Sequence, residues 1–436
     1  MLNSSLYIEK HPLKAEDIQF RKIYLSALAS FIQKYEGAFL PEHQALFDLY
    51  QKEFIGSNIS LNIKQSDIAL VLTYRRKRFM FISSDYYFFF DCFFILALGD
   101  KQKGKRVLLL LKKNVNFLHY LNAKALYKKL YDSSSYQLKK VSNELVYSWR
   151  QNTLFKEDLY YTIGVVANIS SGKSTLINAL IGKYIEKSQQ MACTAKIHAI
   201  YNKPFEDGYI TKSDGFLKLG INKEELLVDN PHNVDNKIEV YTYFHLFRQR
   251  KIVLVDTPGI NSSLHKEHEI LTKSFVESEE YDKILYVCNI CALGTIEEQK
   301  YLQYIQRTVK NEQVIFVLNK LDDCNEEEDS ISDSINNLRK ELKIYGFKNP
   351  VVYPVSASVA YLSKKSMFNI ELTTNESKKL ATYESFFNGP YYDLSQYYNF
   401  PEKEEVRQSL ISKFKGKEKY VDLFCHSGFP YFEFLI

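Results

Sequence analysis

Only six cysteines occur in 436 residues, and they follow no regular framework, which excludes a disulfide-stapled scaffold and suggests a reducing cytosol. No basic, apolar and cleavable leader opens the chain, so secretion is not indicated and a cytoplasmic location is expected. The 57 basic and 52 acidic residues leave a net charge of only +5, too even a balance for a nucleic-acid footprint. No internal repeat is present. Cys288 and Cys291 form a C-x-x-C, but no second pair completes a zinc site, and the apolar run ILYVCNIC around them reads as a core strand. Long uncharged runs are scarce as well. The most apolar stretch, Phe79–Leu98, carries Asp85 and Asp91, and each mid-span acid costs about 2.5–3.5 kcal/mol on insertion scales. A buried helix or strand hairpin is expected there, not a membrane span.

What is present is a set of phosphate and base motifs. Ile163–Gly182 reads as an apolar strand, then a loop ending Ser-Gly-Lys-Ser, then a helical pattern. In such a loop, backbone N–H groups cradle phosphates; Ser171, Gly172 and Thr175 belong to that cradle. Lys173 reaches the β- and γ-phosphates and the Ser174 hydroxyl ligates Mg²⁺, while the helix adds its positive dipole end. Three further β-rich runs follow: KIVLVDTPG (Lys251–Gly259), VIFVLNKLD (Val314–Asp322) and VVYPVSAS (Val351–Ser358). Each ends where open α/β sheets collect ligands. Asp256 is expected to hold Mg²⁺ through a water, and the Gly259 N–H to sense the γ-phosphate. Asn319 and Asp322 are expected to recognise the base, with the Lys320 stem against the ring and the Ser356 and Ala357 N–H groups toward the guanine O6. A carboxylate accepts both donors of the guanine edge, whereas adenine offers no such pair, so GTP and GDP are favoured over adenine nucleotides. Thr194, in MACTAKIHAIYNK, is the candidate switch threonine, binding Mg²⁺ only when the γ-phosphate is present.

The expected fold is α/β: a P-loop GTPase domain with a mostly parallel central sheet flanked by helices (136–436), preceded by a mainly helical domain (1–135). In the first domain, Phe20, Tyr24, Ala27, Leu28, Phe31 and Ile32 fall at helical spacing before Gly37, and Pro41 opens a second helix closed by Gly56. Ser133-Ser134-Ser135 reads as the linker. Leu138, Val141, Leu145 and Trp149 give a lead-in helix over 136–157. Tyr201–Arg250 reads as an inserted surface region without chemistry. The basic run Lys413–Lys419 reads as a solvated face, with contact to anionic lipid as the alternative.

The motifs SSGKSTLINALIG (Ser170–Gly182), ACTAKIHAIYNKPFED (Ala192–Asp207), VDTPGINSSLHKEH (Val255–His268), VLNKLD (Val317–Asp322) and YPVSASVAYL (Tyr353–Leu362) together resemble those of the bacterial dynamin-like GTPases. The resemblance implies Mg²⁺-dependent GTP hydrolysis, self-association through the GTPase domain and often membrane remodelling. It implies that Ser170 helps neutralise transition-state charge, beside Lys173 and Thr194. Two departures stand out. Ala167 replaces the loop's first glycine and would be strained if that position required positive φ. Ile169 stands where eukaryotic dynamins place a water-orienting glutamine, which predicts slow basal hydrolysis. No long apolar-periodic helices follow the last motif, so the mechanical half is expected either to be missing from this chain or to be supplied by a partner, of which a second dynamin-like chain is a candidate, with any membrane contact peripheral. Other readings are a GTP switch with little hydrolysis or a ribosome-associated GTPase, although no RNA-binding appendage follows the core.

Overall fold

A computed structural model of the chain describes residues 8, 11–37, 40–56, 61–74, 85–97, 99–131, 149–150, 153, 159–186, 196–204, 206, 208–214, 217–226, 237–247, 251–259, 266–387 and 389–436. It forms two compact units, Met1–Leu159 with Lys203–Asn222, and Tyr160–Asn202 with Lys223–Ile436.

The first unit is helical. Helix α1 (Ile18–Glu36) starts where Asp17 accepts the N–H groups of Gln19 and Phe20, at 3.0 and 2.9 Å, and stops at Gly37 in a left-handed turn (φ 79°). Helix α2 (Pro41–Ile55) has proline in its first turn, where the missing N–H costs nothing. Helices α3 (Ser66–Thr73), α4 (Asp85–Ala97), α5 (Lys101–Asn114) and α6 (Phe117–Tyr131) complete the bundle. Tyr24, Phe31, Tyr50, Phe54, Phe88, Phe89 and Phe93 fill its core. Gly104 sets the approach of α5 to α6, because a Cβ there would sit 2.6 Å from the Tyr131 ring.

Helix α4 is the described part of the aromatic stretch, and it is buried on all sides. Its two aspartates are buried with partners, which a lone acid in an apolar core could not survive. Asp91 accepts from the Tyr24 hydroxyl and lies 3.2 Å from His11 Nε2. Asp85 accepts from Asn122 Nδ2 at 2.9 Å and lies 3.1 Å from His119 Nδ1. Among the described residues no helix is long and apolar enough to cross a membrane.

The serine linker and most of the lead-in helix lie outside the described residues. Trp149 is described, and it packs edge-on against Phe90 and Tyr131 of the helical unit. The interval Tyr201–Arg250, expected as a surface insertion, supplies structural strands instead. Strands β3 (Ile210–Ser213) and β4 (Leu217–Ile221) pair antiparallel within the first unit, and Leu219 packs on its core.

The second unit is built on β1 (Tyr161–Ala167), β2 (Ile197–Asn202), β5 (Lys237–Thr242), β6 (Ile252–Asp256), β7 (Lys283–Asn289), β8 (Val314–Asn319) and β9 (Val352–Pro354), in the order β5-β2-β6-β1-β7-β8-β9. From β6 to β9 every pair is parallel; β2 runs antiparallel to β6. Strands β6 and β8 are buried at every position, which is why they read as unbroken apolar runs. Cys288 is a buried member of β7, but Cys291 is exposed in the 3₁₀ turn that follows, so the apolar run is not one strand. Helices α7 (Lys173–Ile181), α8 (Lys266–Glu277), α9 (Ile296–Thr308), α10 (Ile331–Ile344), α11 (Ala357–Met367) and α12 (Thr374–Phe386) belong to the same unit. The buried Lys364 ammonium bonds Ala179 O at 2.8 Å and also meets Glu433, joining the end of α7 to the chain's last helix (Phe429–Leu435).

Candidate functional site

The phosphate loop leaves β1 at Ala167, turns through Asn168–Gly172 and enters α7 at Lys173. Ala167 keeps the extended backbone of β1, so its Cβ meets no strain. The left-handed positions are Ser170 (φ 63°) and Gly172 (φ 84°). Gly172 is needed on two counts, because a Cβ there would also come 2.4 Å from Asn319 Nδ2. Side chains from two neighbouring strand ends hold the loop: Asn289 Nδ2 donates to Ser170 O at 3.3 Å and Asn319 Nδ2 to Ser171 O at 3.0 Å. Asn289 has no counterpart among the sequence motifs. It ends β7 as any strand-ending asparagine would, and only the sheet order brings it to the loop.

Beneath the loop, Lys173 Nζ donates to the Asp256 carboxylate, which β6 places beside Val165 of β1. Burial pushes the Asp256 carboxyl up to about 6; the Lys173 charge opposes that rise and Glu186 adds to it. The pair stores two charges that a nucleotide would separate, the ammonium toward phosphate and the carboxylate toward a metal. Two observations fit a phosphate-bound Mg²⁺. Ser174 and Asp256 are hard oxygen donors of the kind this ion takes. The buried Ser171 hydroxyl has no hydrogen-bond partner among the described residues, an orphaned polar group that a bound ligand could satisfy. Gly259, at the end of the next loop, leaves room for Ile169, whose Cγ1 would lie 3.2 Å from a Cβ there. Ile169 is 45% exposed, an aliphatic side chain at the mouth of the phosphate loop. Thr194 lies outside the described residues.

The base side is braced in the same manner. Lys320 takes a left-handed backbone (φ 66°), and its Cγ lies 3.9 Å from where a Gly172 Cβ would stand, so its stem borders the loop. Asn319 is a strut: besides donating to Ser171 O it accepts the Ala357 N–H at 3.1 Å. The Ser356 N–H donates to Ser427 O at 3.0 Å, so both backbone donors expected at the guanine O6 have partners within the chain. Both Asp322 oxygens are occupied once. Ser356 Oγ donates to Oδ1 at 2.5 Å and the Tyr383 hydroxyl to Oδ2 at 2.8 Å. A carboxylate offers about four lone-pair sites, so one per oxygen remains, matching the two donors of a guanine edge.

Tyr383 was invisible in the sequence. It is one tyrosine of 33, in α12, 61 residues from Asp322. Burial, with the Asp322 charge beside it, pushes its hydroxyl pKa up and keeps it a donor. Tyr383→Phe is expected to weaken GDP binding about tenfold, the cost of one lost charge-assisted bond. Titration of a fluorescent GDP against the variant and the parent checks this.

Comparison with known proteins agrees with this geometry. Residues 163–321 match the dynamin family, a stretch that contains the phosphate loop, Asp256, Gly259, Asn319 and Lys320. The chain is similar to an uncharacterized protein of Caldicellulosiruptor sp., with 29% identity over 48% of this chain and 52% of that one. It is also similar to a probable transmembrane GTPase FZO-like, chloroplastic, of Arabidopsis thaliana, with 32% identity over 46% of this chain and 20% of that one. The chain thus spans about half of the first relative and a fifth of the second. A solved structure of an oligomerised bacterial dynamin pair aligns with 97% of this chain and 60% of its own at 14% identity and a TM-score of 0.38, too loose a likeness to carry anything further. The stretch that matches the dynamin family thus carries both the phosphate loop and Asn319, which the sheet brings within hydrogen-bond distance of each other.

Proposed function

We propose that this protein binds GTP with Mg²⁺ and hydrolyses it to GDP and phosphate, slowly alone and faster on self-association through the GTPase domain. The observation that carries the reading is Asn319, which bonds Ser171 O and the Ala357 N–H together and so makes the phosphate and base loops one braced rim. A preorganised rim loses little conformational freedom on binding. Ser174, Asp256 and Thr194 would hold the metal, which when bound supplies charge neutralisation at the phosphates. Lys173 then leaves Asp256 for the phosphate oxygens, and Ser170 adds a polar group on the same side.

Water is the weak point. Ile169 can neither donate nor accept a hydrogen bond, so orientation of the attacking water falls to backbone groups and Thr194. That motivates both the slow basal rate and the second reading, a GTP switch that barely hydrolyses. Phosphate release measured over a range of protein concentrations is expected to show specific activity rising with concentration. Flat or fast activity throughout would refute the coupling, and no product over hours in a single turnover would favour the switch. A second dynamin-like chain and a peripheral membrane role complete the proposal, supported by the family match.

A further inference from the structure

Residues 101–131 carry nine basic side chains and no acid, in a chain whose whole net charge is +5, so the remainder is net negative. These residues are α5 and α6, consecutive helices of the helical unit. Their buried sides are mainly apolar, Gly104, Val107 and Leu111 on α5 and Ala123, Leu126 and Leu130 on α6, with Lys129 buried beside them. Their outer sides carry most of the charge. On α6, Phe117, Leu121, Lys124 and Lys128 recur at steps of four, three and four, one exposed stripe that is apolar at the turn and basic beyond it. Phe117 and Leu118 are each 71% exposed, Leu121 43%, and Lys112 and Lys113 at the end of α5 are exposed beside them.

We propose that this edge docks on an anionic lipid surface, with Phe117, Leu118 and Leu121 entering the interface and Lys112, Lys113, Lys124 and Lys128 meeting the headgroups. The inference rests on the membrane part of the function proposed above and names its surface. Aliphatic and aromatic side chains at the tip, flanked by lysines, suit the acyl–headgroup boundary, where apolar insertion and charge attraction add. A nucleic-acid surface would use the same lysines but has no place for exposed leucines. The basic run at the other end of the chain is a poorer candidate. Lys417 bonds Ser366 O and Met367 O at 3.2 and 2.6 Å and so closes a helix end, and Lys419 lies 3.2 Å from Glu384, which offsets its charge. The aromatic α4 is excluded by its burial.

Flotation of the full chain with phosphatidylcholine vesicles, with and without phosphatidylglycerol, tests the proposal. Binding is expected to the mixed vesicles, at least about tenfold weaker to phosphatidylcholine alone, and to fall with salt. Joint replacement Phe117→Ser, Leu118→Ser and Leu121→Ser should lower binding about tenfold or more, as should Lys112→Glu with Lys113→Glu. Lys415→Glu should leave it unchanged. Helical circular dichroism and the melting temperature of the same variants, unchanged from the parent, show that the helical unit folds, and absence of GDP binding in the parent would instead count against the nucleotide reading. Equal binding to both vesicles, no binding to either, or tip variants that bind like the parent would overturn the proposal. So would RNA binding that depends on the lysines but not on the apolar tip.

Discussion

Asp322→Asn is expected to lower GDP affinity by about 10²–10⁴-fold and to turn the site toward xanthine nucleotides. Two effects combine. An amide has one acceptor oxygen, so it cannot receive both guanine donors, and its NH₂ opposes one of them. The same NH₂ must also face either the Ser356 or the Tyr383 hydroxyl, each of which donates to a carboxylate oxygen in the native site. Either hydroxyl can turn away, but then a partly buried donor is left unsatisfied. Xanthine carries a carbonyl where guanine has its amine and accepts the new donor. Competition of GDP and xanthosine diphosphate for a bound fluorescent nucleotide measures both changes. Unchanged GDP affinity would remove Asp322 from base recognition.

Lys173→Ala should cost triphosphate binding about 10²–10³-fold, more than one surface ion pair is worth, because it acts on two partners. It removes the ammonium from the phosphates. It also leaves Asp256 buried without its counter-charge. Burial already pushes that carboxyl up to about 6, and Lys173 is the largest influence holding it down. Without the lysine the folded-state value rises further, so near neutral pH the carboxyl is more often protonated and a poorer partner for Mg²⁺. Affinity for a non-hydrolysable GTP analogue should therefore fall together with its Mg²⁺ dependence. An unchanged Mg²⁺ dependence would show that Asp256 does not depend on Lys173 for its charge.

The phosphate loop was legible because its chemistry is local. Ser-Gly-Lys-Ser after an apolar strand needs only a turn and a helix start, and both are set by residues adjacent in the chain. The condition under which Ala167 would be strained is not met, for a related reason. Which residue of a turn takes the left-handed conformation depends on where the strand ends, and β1 continues through Ala167, so the positive φ falls on Ser170 and Gly172. Cys291 was misread on the same ground: an apolar run does not reveal that the strand stops at Asn289. The acids of the aromatic stretch were read correctly as an obstacle to a membrane span. Their partners His11, Tyr24, His119 and Asn122 come from elements far along the chain, and no spacing marks them.

By itself the sequence determined the order of the phosphate, metal and base motifs, the alternation of buried strands with helices, and the helical character of the first unit. Periodicity, glycine placement and loop chemistry act over a few residues, and a chain displays them directly. Tertiary structure alone decided which side chains brace the rim: Asn289 under the phosphate loop, Asn319 between two loops, and Tyr383 on the Asp322 carboxylate. It also decided that the acid-free stretch at 101–131 turns Lys112, Lys113, Lys124, Lys128 and its Phe-Leu tip outward while Lys417 closes a helix end and Lys419 pairs with Glu384. Those contacts depend on packing between distant segments, where geometry rather than residue type selects the partner.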